Sequence, residues 1–317
     1  MKKEVLYIVV PCYNEEEVLH ETNKRLLSKI DDLITKNIIS NKSKIMYVND
    51  GSKDKTWDII LELHNKNKKV TGVCLSRNRG HQNALLAGLF TAKKSADIVI
   101  SMDADLQDDI NAIDEMIQKY HDGSEIVYGV RSSRKKDTFF KRFTAQSFYK
   151  FMKLMGVDVI YNHADYRLTT KKVLDNLEKF NEVNLFLRGI FPIIGYKHDV
   201  VYYERSERFA GKSKYPLKKM LNFAWDGITS FSVKPIRLIL SIGILTCILS
   251  FTTIVTLIVL DLIFLDLSKW VYIILSIWLS LGIQLFAIGI VGEYVGKTYI
   301  ETKSRPRFII SRNLEEE

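Results

Sequence analysis

The chain has 317 residues, 47% of them hydrophobic and 26% charged, with a formal net charge of +9 at pH 7. Such a composition excludes a disordered or collagen-like chain, and 3 cysteines without ligand spacing exclude a disulfide framework. The positive balance suits anionic headgroups and phosphorylated substrates; with the basic residues flanking apolar segments, no nucleic-acid partner is expected.

In chain order, strands are expected over Val5–Val10, Lys44–Val48, Val70–Leu75, Asp97–Met102 and Glu125–Val130. Helical patterns fill 16–36, 54–66, 81–94, 110–121 and 138–155. The first strand is too short for a signal peptide and ends at Pro11. This alternation predicts an α/β fold, a mostly parallel sheet with helices on both faces. Ligands of such sheets bind beyond the carboxyl ends of the strands. The polar clusters fall there: Pro11–Glu15, Asn49–Ser52, Ser76–Asn78, Asp103–Asp105 and Arg131. Each alone is ordinary turn chemistry; together they predict an active-site rim.

Beyond the last strand, Leu217, Met220, Leu221, Ala224, Trp225 and Ile228 follow helical spacing, which predicts an interfacial helix. Phe139–Phe151, aromatic with interleaved lysine and arginine, fits a second headgroup-level surface and equally a packed domain helix. Leu238–Leu260 and Trp270–Gly292 contain no Asp, Glu, Lys, Arg or His. At 1.5 Å per residue, either run crosses a hydrocarbon core of about 30 Å. The connector Asp261–Lys269 is poor in basic residues, whereas Lys234, Arg237, Lys297, Lys303 and Arg305 lie on the outer flanks. The positive-inside rule then predicts a multi-pass membrane protein with both termini cytoplasmic. The expected division is a catalytic domain over 1–214, a juxtamembrane segment over 215–235, a hairpin over 236–292 and a tail over 293–317.

The most chemical segment is Asp103-Ala104-Asp105-Leu106-Gln107. Where a strand leaves its sheet, side chains at i and i+2 point the same way, so both carboxylates and the Gln107 amide oxygen can face one hard cation. Mg²⁺ or Mn²⁺ bound by few protein oxygens, leaving positions for water and phosphate, suits a nucleotide diphosphate. No Gly-x-Gly-x-x-Gly, P-loop or Gly-x-Ser-x-Gly pattern is present, which disfavours a dinucleotide dehydrogenase, a P-loop NTPase and an elbow-type hydrolase.

Val10–Glu15, Val48–Ser52 and Asp103–Asp108 resemble the GT-A glycosyltransferases of family 2. Arg77–Gln82, Tyr128–Arg131, Ala164–Leu168, Phe186–Gly189, Glu204–Arg205, Gly211–Pro216, Gly227–Ser232 and Gly292–Gly296 narrow this to the polyisoprenyl-phosphate glycosyltransferases. Bacterial undecaprenyl-phosphate glucosyl- and N-acetylglucosaminyltransferases are the nearer resemblance, dolichol-phosphate mannose synthases the more distant one. Asp109-Ile110 departs from the prolines common there.

The resemblance implies a nucleotide-sugar site at Pro11, Tyr13, Glu15, Asp50 and Asp103, and a metal at Asp103, Asp105 and Gln107. It implies acceptor-phosphate contacts from Arg131, Arg142, Arg208 and Lys214, with Asp165, Asp105 and Arg131 as catalytic residues. Asp165 is open between a base and an orienting group. The implied partners are UDP-glucose or UDP-N-acetylglucosamine, a polyprenyl phosphate, membrane lipids, a flippase, a downstream glycosyltransferase and further copies in a homo-oligomer. The implied location is the bacterial inner membrane. A processive polymer synthase would share the domain, but no Gln-x-x-Arg-Trp is present. A catalytically silent nucleotide sensor would have less use for so many charged groups on one rim.

Overall fold

The computed structural model describes residues 3–132, 163–182, 186–206, 234–263 and 269–316. The expected helix over 138–155, the interfacial segment 215–235 and the basic residues Arg142, Arg208 and Lys214 lie outside the described residues.

Five strands arise where apolar runs predict them: β1 (Leu6–Cys12), β2 (Lys44–Asn49), β3 (Val70–Leu75), β4 (Ile98–Ser101) and β5 (Ile126–Arg131). Between them run α1 (Leu19–Thr35), α2 (Thr56–Lys66), α3 (His81–Ala92) and α4 (Ala112–His121). Three further strands, β6 (His163–Thr170), β7 (His198–Tyr203) and β8 (Ile310–Asn313), complete one sheet in the order β7-β5-β6-β4-β1-β2-β3-β8.

The expectation of a mostly parallel sheet is corrected to a mixed one. The pairs β1–β2, β1–β4, β2–β3 and β5–β7 are parallel. By contrast, β6 is inserted antiparallel between β4 and β5, and β8 pairs antiparallel with β3. Strand β6 interleaves Ala164, Tyr166 and Leu168 with His163, Asp165, Arg167 and Thr169, so no continuous apolar run announces it. Its reversed direction has a functional result: its N-terminal end meets the rim formed by the carboxyl ends of β1–β5.

Each central strand alternates between two apolar layers. Leu6, Ile8, Val10 and Cys12 face α1, α2 and α4, where Leu26, Ile30, Ile60 and Ile113 are buried. Tyr7 and Val9 face α3, α5 (Lys171–Leu177) and α6 (Leu187–Ile194). Helix α3 lies against the sheet through Gly88, where a Cβ would stand 2.4 Å from Val9 Cγ1 and 2.6 Å from Val48 Cγ2. That close approach presents the first turn of α3 to the rim.

The apolar C-terminal runs are helical: α7 (Lys234–Ile263, 30 residues) and α8 (Lys269–Thr302, 34 residues). At 1.5 Å per residue they are about 45 and 51 Å long. Taken over the described residues alone, no helix is long and apolar enough to cross a membrane. In the full sequence, Leu238–Leu260 and Trp270–Gly292 are uninterrupted by charge. After α8 the chain returns to the sheet. Strand β8 covers the β3 edge, Leu314 is buried, and Glu315 accepts hydrogen bonds from Tyr7 Oη (2.6 Å) and Lys44 Nζ (3.1 Å).

Candidate active site

The first two strand exits are laced together. Asn14, at φ 54°, donates its N–H to Ser52 Oγ (3.0 Å) and accepts from Lys53 N at Oδ1 (2.9 Å). Glu15 N donates to Thr56 Oγ1 (2.9 Å). Pro11 is buried in β1 opposite Val48, so it shapes the exit from within the sheet, while Tyr13 and Glu15 stand partly exposed beyond it. Gly51, at φ 62°, lies so close to the next loop that a Cβ would meet Asn78 N at 2.5 Å.

Asp50 is buried, and its carboxylate accepts from the amides of Arg79 (2.6 Å) and Gly80 (2.9 Å). Burial raises its pKa, and the two amides work against that rise. Here Asp50 shapes the entry to α3, bringing His81 to the rim.

After β4 the expected alternation holds. Ala104, Leu106 and Asp108 are buried, whereas Asp103, Asp105 and Gln107 are partly exposed on the opposite side. Thr22 Oγ1 donates to Ala104 O (2.8 Å), and Leu106 adopts φ 58°. Gln107 N donates to Asp105 Oδ1 (3.2 Å), and Gln107 Oε1 accepts from Arg205 Nη2. A cation drawing on the Gln107 oxygen therefore competes with Arg205. Among the described residues, no group of three or more His, Cys, Asp or Glu side chains is arranged to hold a metal ion. The donor set still fits a divalent cation. Burial, aided chiefly by the charge of Asp103, pushes the Asp108 carboxyl up to about 6, and Asp108 Oδ2 is buried without a hydrogen-bond partner among the described residues. Excess negative charge of this kind is what a cation held by Asp103 and Asp105 relieves.

Asp165, near the start of β6, is the hub of the rim. It accepts from Arg167 Nη2 (2.8 Å) and from Arg188 Nε (3.3 Å) and Nη2 (3.2 Å). His81 Nε2 lies 3.6 Å from Asp165 Oδ2 and 3.7 Å from Asp103 Oδ1. Burial raises the Asp165 pKa, but Arg188, His81 and Arg167 outweigh it and hold the carboxyl well below its usual range. Burial likewise opposes a charged His81, yet Asp165 and Asp103 prevail and push it up to about 9. The imidazolium thus joins the acid of β6 to the aspartate pair of β4.

Arg131 ends β5 with its Nη2 3.9 Å from Asp108 Oδ1, and its buried Nε has no hydrogen-bond partner among the described residues. Tyr203 Oη donates to Asp108 Oδ1 (2.5 Å). Thus Asp103, Asp105, Gln107, Arg131 and Asp165 converge on one rim, while Asp50 and Pro11 support it from beneath. No local pattern in the sequence gives His81, Asp108, Arg188, Tyr203 or Arg205 an individual role. The motifs Arg77–Gln82 and Phe186–Gly189 contained His81 and Arg188, but only their neighbours in space give them a task.

The profile of Glycosyl transferase family 2 matches residues 7–178. The chain belongs to that family. It is 54% identical over 310 residues to the uncharacterized glycosyltransferase YkoT of Bacillus subtilis, covering 98% of this chain and 92% of that protein. To the prophage bactoprenol glucosyl transferase homolog of Escherichia coli it is 38% identical over 307 residues, covering 96% and 98%. Among solved structures, glucosyl-3-phosphoglycerate synthase of Mycobacterium tuberculosis with Mn2+, UDP and phosphoglyceric acid overlaps with a TM-score of 0.45 and 14% identity, covering 71% of this chain and 76% of that one. The glycosyltransferase has a mixed α/β sheet flanked by helices, with its charged side chains gathered on one rim.

Proposed function

We propose that this glycosyltransferase moves glucose or N-acetylglucosamine from a UDP-sugar to a polyprenyl phosphate of the undecaprenyl type, with inversion at the anomeric carbon. One observation carries the reading: the Asp103–Asp105–Gln107 face and the Asp165–His81–Arg188 cluster meet on a single rim, joined through His81. The similarity to a bactoprenol glucosyl transferase homolog over 96% of the chain supports the lipid acceptor. So do α7 and α8, whose lengths and uncharged runs suit a hairpin anchored in the inner membrane with both termini cytoplasmic.

In this scheme an oxygen of the acceptor phosphate forms a bond to the anomeric carbon as the bond to the nucleoside diphosphate breaks. A phosphate monoester has a second pKa of about 6, so the acceptor is largely dianionic at neutral pH and needs little proton removal. Asp165, held ionised, therefore acts best as an orienting group for a sugar hydroxyl and for Arg188 and His81. Arg131, with its unpartnered Nε, suits the incoming phosphate, because guanidinium matches phosphate oxygens bidentately. Mg²⁺ or Mn²⁺ held by Asp103 and Asp105 would neutralise charge on the diphosphate.

The deciding experiment offers UDP-glucose and UDP-N-acetylglucosamine to the full chain in vesicles containing a polyprenyl phosphate, and analyses the product. A β-linked lipid phosphosugar is expected from an α-linked donor, and Arg131→Ala should raise the acceptor KM more than the donor KM. An α-linked product would disprove the single displacement. No transfer from any nucleotide sugar in a panel to the lipid would refute the acceptor.

A further inference from the structure

The C-terminal tail builds a second cationic feature outside the aspartate rim. Where α8 ends and the chain turns back toward β8, Lys303, Arg305 and Arg307 meet Arg79 and Asn83 from the loop before α3 and its first turn. They line a pocket of about 280 Å³. Four cations are thus drawn from segments more than two hundred residues apart in sequence, brought together by the β8–β3 pairing.

The cations are not equivalent. Arg307 donates to Phe180 O, and its charge is offset by Glu182 and Glu301. Lys303 Nζ rests 4.0 Å from the centre of the Tyr299 ring, a cation–π contact that holds the ammonium at the pocket edge. Arg79 Nε is buried and has no hydrogen-bond partner among the described residues, an unmet donor that calls for an acceptor. Glu182 and Glu301, which already offset the charge of Arg307, oppose an anion beside it. An anionic occupant is therefore best placed toward Arg79, Lys303 and Arg305.

Location identifies the occupant. Val291, Val295, Tyr299 and Ile300 form exposed apolar surface along α8 up to the pocket mouth. Tyrosine is a residue of the membrane–water interface, so the pocket opens at headgroup level when the α7–α8 hairpin sits in a bilayer. We propose that this pocket holds the phosphate of an anionic membrane phospholipid of the phosphatidylglycerol kind, as a site separate from that of the polyprenyl acceptor. The inference rests on the membrane-anchored reading given above. Its consequence reaches the rim: the Arg79 amide is held by Asp50, and two residues later His81 faces Asp103 and Asp165.

The test uses the full chain in phosphatidylcholine nanodiscs doped with phosphatidylglycerol, with retained lipids counted by native mass spectrometry. Wild type should retain one phosphatidylglycerol over phosphatidylcholine by about tenfold or more, and the Lys303→Ala, Arg305→Ala double variant should lose most of that preference, at about fivefold per cation near an anionic surface. A Lys303→Arg, Arg305→Lys variant preserves both charges and should keep the preference, which separates charge from any defect in folding. Equal retention of both lipids by wild type would overturn the proposal, as would an unchanged preference in the double alanine variant. One-for-one displacement by polyprenyl phosphate would also overturn it, assigning the pocket to the acceptor. A chain that enters nanodiscs without phosphatidylglycerol preference refutes the pocket alone; one that fails to enter them refutes the membrane reading as well.

Discussion

Asp165→Asn perturbs a carboxylate that meets Arg167, Arg188 and His81 together. The substitution preserves shape but removes the only carboxylate that, among the described residues, pairs with Arg167, whose side chain is 1% exposed. The stranded guanidinium keeps an amide oxygen and the Phe191 ring, 4.2 Å from its central carbon, neither of which carries a countercharge. Removing one partner of a buried ion pair costs about 3–5 kcal/mol. Arg188 and His81 retain 28% and 30% side-chain exposure, so solvent screens their losses and they add under about 1 kcal/mol each. A total near 4 kcal/mol is a large share of the roughly 5–15 kcal/mol that stabilises a domain. At about 2–4 °C per kcal/mol for a domain of this size, the expected fall in Tm is about 8–16 °C. Thermal unfolding of the full chain in detergent, followed by near-ultraviolet circular dichroism, measures it. Adding Arg167→Met to the Asp165→Asn protein should recover much of the loss, because the stranded charge goes too. A loss under about 1 kcal/mol, or a double variant no more stable than the single one, would refute the assignment of Asp165 as the countercharge that Arg167 requires.

Three further outcomes are expected. His81 has a pKa raised to about 9, so its favourable contribution is complete below its ordinary value near 6.5 and is lost as pH rises through about 9. Wild-type Tm should fall across that window more steeply than that of His81→Gln, and parallel slopes would refute the pairing. Asp105→Asn should lower turnover by orders of magnitude with little change in Tm, and excess chelator should do the same to wild type; full activity in either case would refute the cation site. For topology, a cysteine at Ser268 should react with an impermeant thiol reagent in intact cells and one at Ser311 should not, and the opposite labelling pattern would invert the assignment.

The sequence alone determined the alternating strands and helices of the first 130 residues, because each buried strand of this sheet is an apolar run ended by turn-forming residues. It also determined the alternation of burial from Asp103 to Asp108 and the uncharged runs that became α7 and α8. Tertiary structure alone decided the insertion of β6 between β4 and β5 and the return of β8 to the β3 edge. Both strands are too polar or too short to be marked by periodicity, and their pairing energy comes from partners distant in sequence. The same holds for the site: the pull on Asp165 from Arg167, Arg188 and His81, and on His81 from Asp103, exists only once β6, α3 and α6 converge. Burial and charge at a rim depend on distances through space, which no local pattern of residues encodes by itself.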